Sequence, residues 1–142
     1  MDLLLEVLYT VERIGMDNTI GVLKTAGKKV YEGYSKEIEF ILEKICLRYK
    51  VTKHSIIYGT GNHEDKRIAT DVFFYMLRKH LKITNKAIGD LCNLHHSTVS
   101  IYTSRIKNLD SKNKIDKPQI ELVSEIDKEI SDYMKTMLTQ KQ

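Results

Sequence analysis

The chain is poor both in residues that interrupt helices and in residues that cross-link loops. One proline and seven glycines stand among 142 residues, and tryptophan is missing. With so few breakers, and with apolar residues recurring every three or four positions almost throughout, the pattern excludes a sheet architecture and predicts an all-α protein. The two cysteines, Cys46 and Cys92, are far apart and fit no disulfide spacing, so a reducing interior is expected. No long apolar run exists either. The opening MDLLLEVLYTVER is broken by Asp2, Glu6 and Glu12 and has no basic leading region, so it reads as neither a signal peptide nor a membrane span. A soluble, cytoplasmic protein is expected.

Catalytic signatures are equally scarce. The Gly-x-Gly of GTGNHEDKR has no Gly-Lys-Ser/Thr after it and no strand before it, so it is not a nucleotide loop. His63, Glu64 and Asp65 are adjacent, and adjacent residues do not converge on one ion. No nucleophile elbow or Ser/His/Asp order is present. The sequence predicts no enzyme, no cofactor and no metal.

What is present is charge in one place. Residues 1–50 carry eight basic and eight acidic side chains, residues 51–115 eleven and five, and residues 116–142 four and six. The basic excess therefore falls on the middle of the chain, as a phosphate-facing surface requires.

Along the chain, residues 2–14 read as a helix stopped by Gly15, and IGVLKTA as a second, short helix ended by Gly27. KKVYEGYS reads as a polar link to Ser35. This first part, 1–34, is an appendage whose apolar faces either pack on the main domain or join two copies. From Ser35 the stripe Ile38, Ile41, Leu42, Ile45 and Tyr49 predicts a helix, and VTKHSIIYG a short turn of helix closed by Gly59. The most apolar segment, about Asp65–Leu81, is expected to be the central helix. The last helix, near Pro118, repeats Ile120, Val123, Ile126, Ile130, Tyr133 and Met137, a seam that suits either the domain or a partner helix. Residues 136–142 are expected to fray.

The informative stretch is TNKAIGDLCNLHHSTVSIYTSRIKNL, from Thr84 to Leu109. A generic helix-turn-helix laid on Asn85–Ser104 puts Gly89 where two helices cross closely and Asn93 where φ must be positive. Ile88, Leu94 and Val99 supply the small shared core. His95, His96, Ser97 and Thr98 open the second helix, the part that enters a DNA major groove in such motifs. Val99, Tyr102 or Thr103, Ile106 and Leu109 are expected to face inward. Thr98, Ile101 and Arg105 share the outer side with His95, where Ile101 either meets a thymine methyl or packs into the core. Cys92-x-x-His95-His96 supplies at most three ligands around a turn that the motif already explains, so zinc is not expected.

Residues from about Ser35 to Ile130 resemble the C-terminal DNA-binding domain of the bacterial replication initiator DnaA. The resemblance rests on LEKICLRYKVTKHSII, KRIATDVFFYMLRKH, KAIGDLC and HHSTVSIYTSRI. It implies a Trp-repressor-like all-α helix-turn-helix domain over 35–135, without the ATPase module. It further implies that His96, Ser97 and Thr98 meet base edges and phosphate, and that Asn85 and Lys86 touch the DNA backbone. Three departures stand out. His95 replaces the family's Asp, the turn is one residue shorter, and Asn62 stands near the family's minor-groove Arg.

The expected base contacts are thus His95, His96, Ser97, Thr98 and Ile101. The expected phosphate contacts are Lys66, Arg67, Asn85, Lys86, Arg105 and Lys107. The expected partner is double-stranded DNA, bound in a sequence-specific way by a transcription regulator or replication accessory factor, with a phage or mobile element as one setting for it and the nucleoid as its place in the cell. Homodimers through the N-terminal helices or the last helix fit the same pattern. The alternative is a protein-interaction module that keeps the fold without DNA binding.

Overall fold

In a computed structural model, residues 25–59 and 64–140 are described. The expected first helix at 2–14, the start of the expected second helix, and Asn62 and His63 lie outside them. All regular structure among the described residues is helical, so the all-α class holds there. Six helices follow: α1 Thr25–Tyr49, α2 Lys53–Tyr58, α3 Glu64–Leu81, α4 Asn85–Cys92, α5 His96–Lys107 and α6 Asp116–Gln140. None is long and apolar enough to cross a membrane.

The link expected at KKVYEGYS is helical instead. α1 runs from Thr25 through Gly27 to Tyr49, bent where Tyr34 leaves helical geometry (φ −130°, ψ 26°). Neither glycine there ends the helix, because a glycine costs only about 1 kcal/mol inside one and flanking residues outweigh it. Past the bend, Ile38, Ile41, Leu42, Ile45 and Tyr49 are all buried, as their spacing predicts. α2 is closed at both ends: Thr52 Oγ1 accepts the Ser55 N–H at 3.1 Å, and Gly59 adopts φ 67°.

α3 is the centre of the fold. Its buried residues include Val72, Phe73, Phe74, Met76 and Leu77, and it touches each of the other five helices. α6 lies across α1 and α3 with Val123, Ile126 and Ile130 buried. Polar contacts fix that placement. Arg48 binds Glu125 and Glu129, and Asp127 receives Lys79 at 2.9 Å and pairs with His80 Nε2 at 2.7 Å. Burial pushes the Asp127 carboxyl up, but the Lys79 and His80 hydrogen bonds outweigh it and hold the group below its ordinary value. Phe40 stacks on Tyr133 with ring centroids 3.8 Å apart. α6 continues to Gln140, and the Thr136 and Thr139 hydroxyls each donate to a carbonyl one turn back at 3.0 Å; the last two residues of the tail expected to fray lie outside the described residues.

α4 and α5 are short and joined by a tight turn. Thr84 Oγ1 caps α4 by accepting the Ala87 N–H at 3.1 Å. Asn93 ends it at φ 57°, ψ 48°, and both Asn93 N–H and Leu94 N–H donate to the Gly89 carbonyl. Gly89 is fully enclosed on that side, since a Cβ built there would collide with the Leu94 carbonyl oxygen. Backbone cannot step aside as a side chain can. Gly89→Ala should therefore lower stability by about 1–3 kcal/mol, read as a fall of several degrees in melting temperature by circular dichroism. An unchanged melting temperature would mean that the two helices can separate at no cost.

Candidate functional site

α5 shows two contrasting faces. Val99, Thr103 and Ile106 are buried against α3 and α4, with Tyr102 half-buried and stacked on Phe74 at 5.6 Å. The opposite side carries Ser97, Ile101 and Arg105, all exposed, with Thr98 half-buried; His95 and His96 at the start of the helix and Lys107 in its last turn are exposed as well. The choice left open for Ile101 resolves to the surface, where it is 55% exposed. His96 is likewise no core histidine.

The first turn of α5 is organised by His95. Its backbone is extended (φ −70°, ψ 145°), and its carbonyl accepts from Thr98 N–H at 3.0 Å. Its ring caps the helix: Nδ1 accepts the Ser97 N–H at 3.2 Å, and Ser97 Oγ lies 2.7 Å from the same nitrogen. The His96 ring packs beside it, centroids 4.2 Å apart. A histidine thus fills the place that Asp, Asn or Ser ordinarily takes as a helix cap. Periodicity gives no sign of this, because it depends on a ring torsion.

The expected phosphate contacts divide into two groups. Lys86 of α4 and Lys107 in the last turn of α5 are exposed. Lys66, Arg67 and Arg105 are engaged within the protein. Lys66 Nζ donates to the Gly59 carbonyl at 3.1 Å. Arg67 binds Glu64 at 2.6 Å and Asp71 at 3.3 Å. Arg105 reaches Asp71 at 3.4 Å and lies over the Tyr102 ring, 4.8 Å from its centroid. Asn85 is half-buried, and its Oδ1 is enclosed without a hydrogen-bond partner.

Asp71 is the residue that the sequence reading missed. It is 2% exposed, in the middle of the apolar helix, and joins Arg67 of α3 to Arg105 of α5. The available signal was a lone acid inside IATDVFFYM with an arginine four residues earlier. Cys92, the last residue of α4, is buried, and burial pushes its thiol up to about 12.

Burial also pushes the Asp71 carboxyl up to about 6, against the pull of Arg105 and Arg67. The folded value lies above the unfolded one, so from about pH 4 to about 6 the folded state holds more protons. Stability associated with neutral Asp71 is then lost as pH rises through that window. Asp71→Asn should melt at about the wild-type temperature near pH 4 and above it at pH 7. If the variant instead loses ground as pH rises, attraction to the two arginines outweighs desolvation.

Comparison of the chain with protein-family models, with curated proteins and with solved structures gave no match.

Proposed function

We propose that the protein binds double-stranded DNA in a sequence-specific way, as a helix-turn-helix domain of Trp-repressor-like type, with α4 as the supporting helix and α5 as the helix that enters the major groove. The observation that carries this reading is the outer face of α5. A short helix is anchored by Val99, Thr103 and Ile106, yet leaves two imidazoles, hydroxyls, an aliphatic side chain and two cations exposed along it. Imidazole N–H and hydroxyl groups suit base edges, and Ile101 suits a thymine methyl. Lys86 and Lys107 suit the flanking phosphates. The close crossing at Gly89 and the left-handed Asn93 agree with the helix-turn-helix reading. The resemblance to the DnaA C-terminal domain agrees with it too, and points to a role in transcription or replication.

Arg105 and Arg67 fit this reading as conditional contacts. Arg105 is held by the buried Asp71 carboxylate at 3.4 Å, a long and weak ion pair that a phosphate can replace, and Arg67 pairs with the same carboxylate at 3.3 Å but also with Glu64 at 2.6 Å. The second reading, a protein-interaction module on the same fold, draws on exposed Ile101 and on that same engagement of the arginines.

A band-shift titration with mixed-sequence duplex DNA separates the two readings. Binding should weaken with salt, with a log–log slope of roughly −3 to −5. Once a preferred site is selected, His96→Ala should cost about 1–3 kcal/mol on it and little on random duplex. Lys86→Ala should weaken both by similar factors. No binding at low salt, or a flat salt response, favours the interaction module.

A further inference from the structure

We propose that His95 sets base preference at one position by presenting a hydrogen-bond donor alone, and so selects an acceptor edge, guanine above all. This rests on the reading of α5 as the groove-entering helix. The ring has two nitrogens, and the helix cap has already used one. Ser97 N–H points at Nδ1 from 3.2 Å, which favours the tautomer whose Nδ1 offers its lone pair to that cap bond. Ser97 Oγ, 2.7 Å away, crowds the same nitrogen. The proton of the neutral ring therefore sits on Nε2, on the far side of the ring. The His96 ring lies beside it, centroids 4.2 Å apart and tilted by 33°. Because His95 is exposed, its one outward polar atom is an N–H.

Base edges in the major groove differ in what they ask of such a group. Guanine shows two acceptors, N7 and O6, whereas cytosine shows the N4 donor. A fixed Nε2–H is matched to guanine and meets a like donor at cytosine. Capping and reading are thus done by opposite ends of one imidazole, and the cap decides what the reading end offers.

Two substitutions separate the donor from the cap. Asp and Asn both cap helices well, each by accepting the N–H that His95 Nδ1 accepts. An aspartate then turns a second acceptor outward, whereas an asparagine turns its NH₂ donor outward. The test is selection of bound duplexes from a random pool by the full-length chain and its His95→Asp and His95→Asn variants, with melting curves confirming that each is folded. Wild type and His95→Asn should enrich guanine, or another acceptor edge, at one shared position. His95→Asp should change that position to cytosine or adenine, whose amino groups donate, with relative affinity for the matched pair of sites reversing by roughly tenfold. Its added negative charge should also weaken binding to all duplexes alike, which leaves the change in base preference as the readout.

If all three proteins enrich the same base at every position, the His95 assignment is overturned while DNA binding stands. Should His95→Asn switch preference together with His95→Asp, side-chain size rather than the donor decides, and the assignment again fails. If the wild type enriches no sequence at all, the reading of α5 falls and the assignment with it.

Discussion

The geometry of the candidate site depends on a backbone contact, the seat of the Leu94 carbonyl against Gly89. Two amides, of Asn93 and Leu94, converge on the Gly89 carbonyl, and Asn93 turns through a left-handed conformation to let them do so. The turn is therefore held by hydrogen bonds between groups that cannot change rotamer. α4 is buried on its Ile88, Leu91 and Cys92 side, so the turn inherits the rigidity of the core. α5 leaves that turn in one direction only, and its outer face follows from it.

Electrostatics add a second layer at the crossing of α3 and α5. Asp71 is buried deeply enough that desolvation outweighs two arginines in setting its protonation. An acid in that position ties α5 back to the central helix while keeping Arg105 near the surface, where its side chain is 40% exposed. Arg67 is held in the same way from the α3 side, with Glu64 as an additional partner. The cations of this region thus divide into those committed to holding helices together and those, Lys86 and Lys107, that face solvent. Net charge alone does not distinguish the two kinds, since a count of basic residues is blind to their partners.

Much of the fold was legible because it follows from spacing. The stripe from Ile38 to Tyr49, the wide apolar band of α3, the Gly59 end of α2 and the left-handed Asn93 each require a residue type at a position, and the residue is there. α1 defeated the same approach at KKVYEGYS. Lys, Glu and Tyr there have no apolar stripe, and Gly33 suggests a stop, yet the helix continues with a bend at Tyr34. The outer face of α5 was legible as the complement of its buried side. The partnership of Asp71 with Arg105 was not, because the two are 34 residues apart and meet only once the helices have packed. The His95 cap was hidden for another reason: histidine is an uncommon cap, and the identity of its accepting nitrogen is a matter of ring orientation.

The central claim is that the outer face of α5 is the surface that meets DNA. Backbone amide NMR of the full chain, titrated with a mixed-sequence duplex at low salt, examines it most directly. The largest shifts should fall on His95 to Ser97, Ile101 and Arg105, with smaller ones at Lys86 and Lys107. The solvent side of α6 around Glu125 and Lys128 should stay unchanged. Shifts centred on α6 or on exposed Leu47 of α1, with α5 silent, would contradict it.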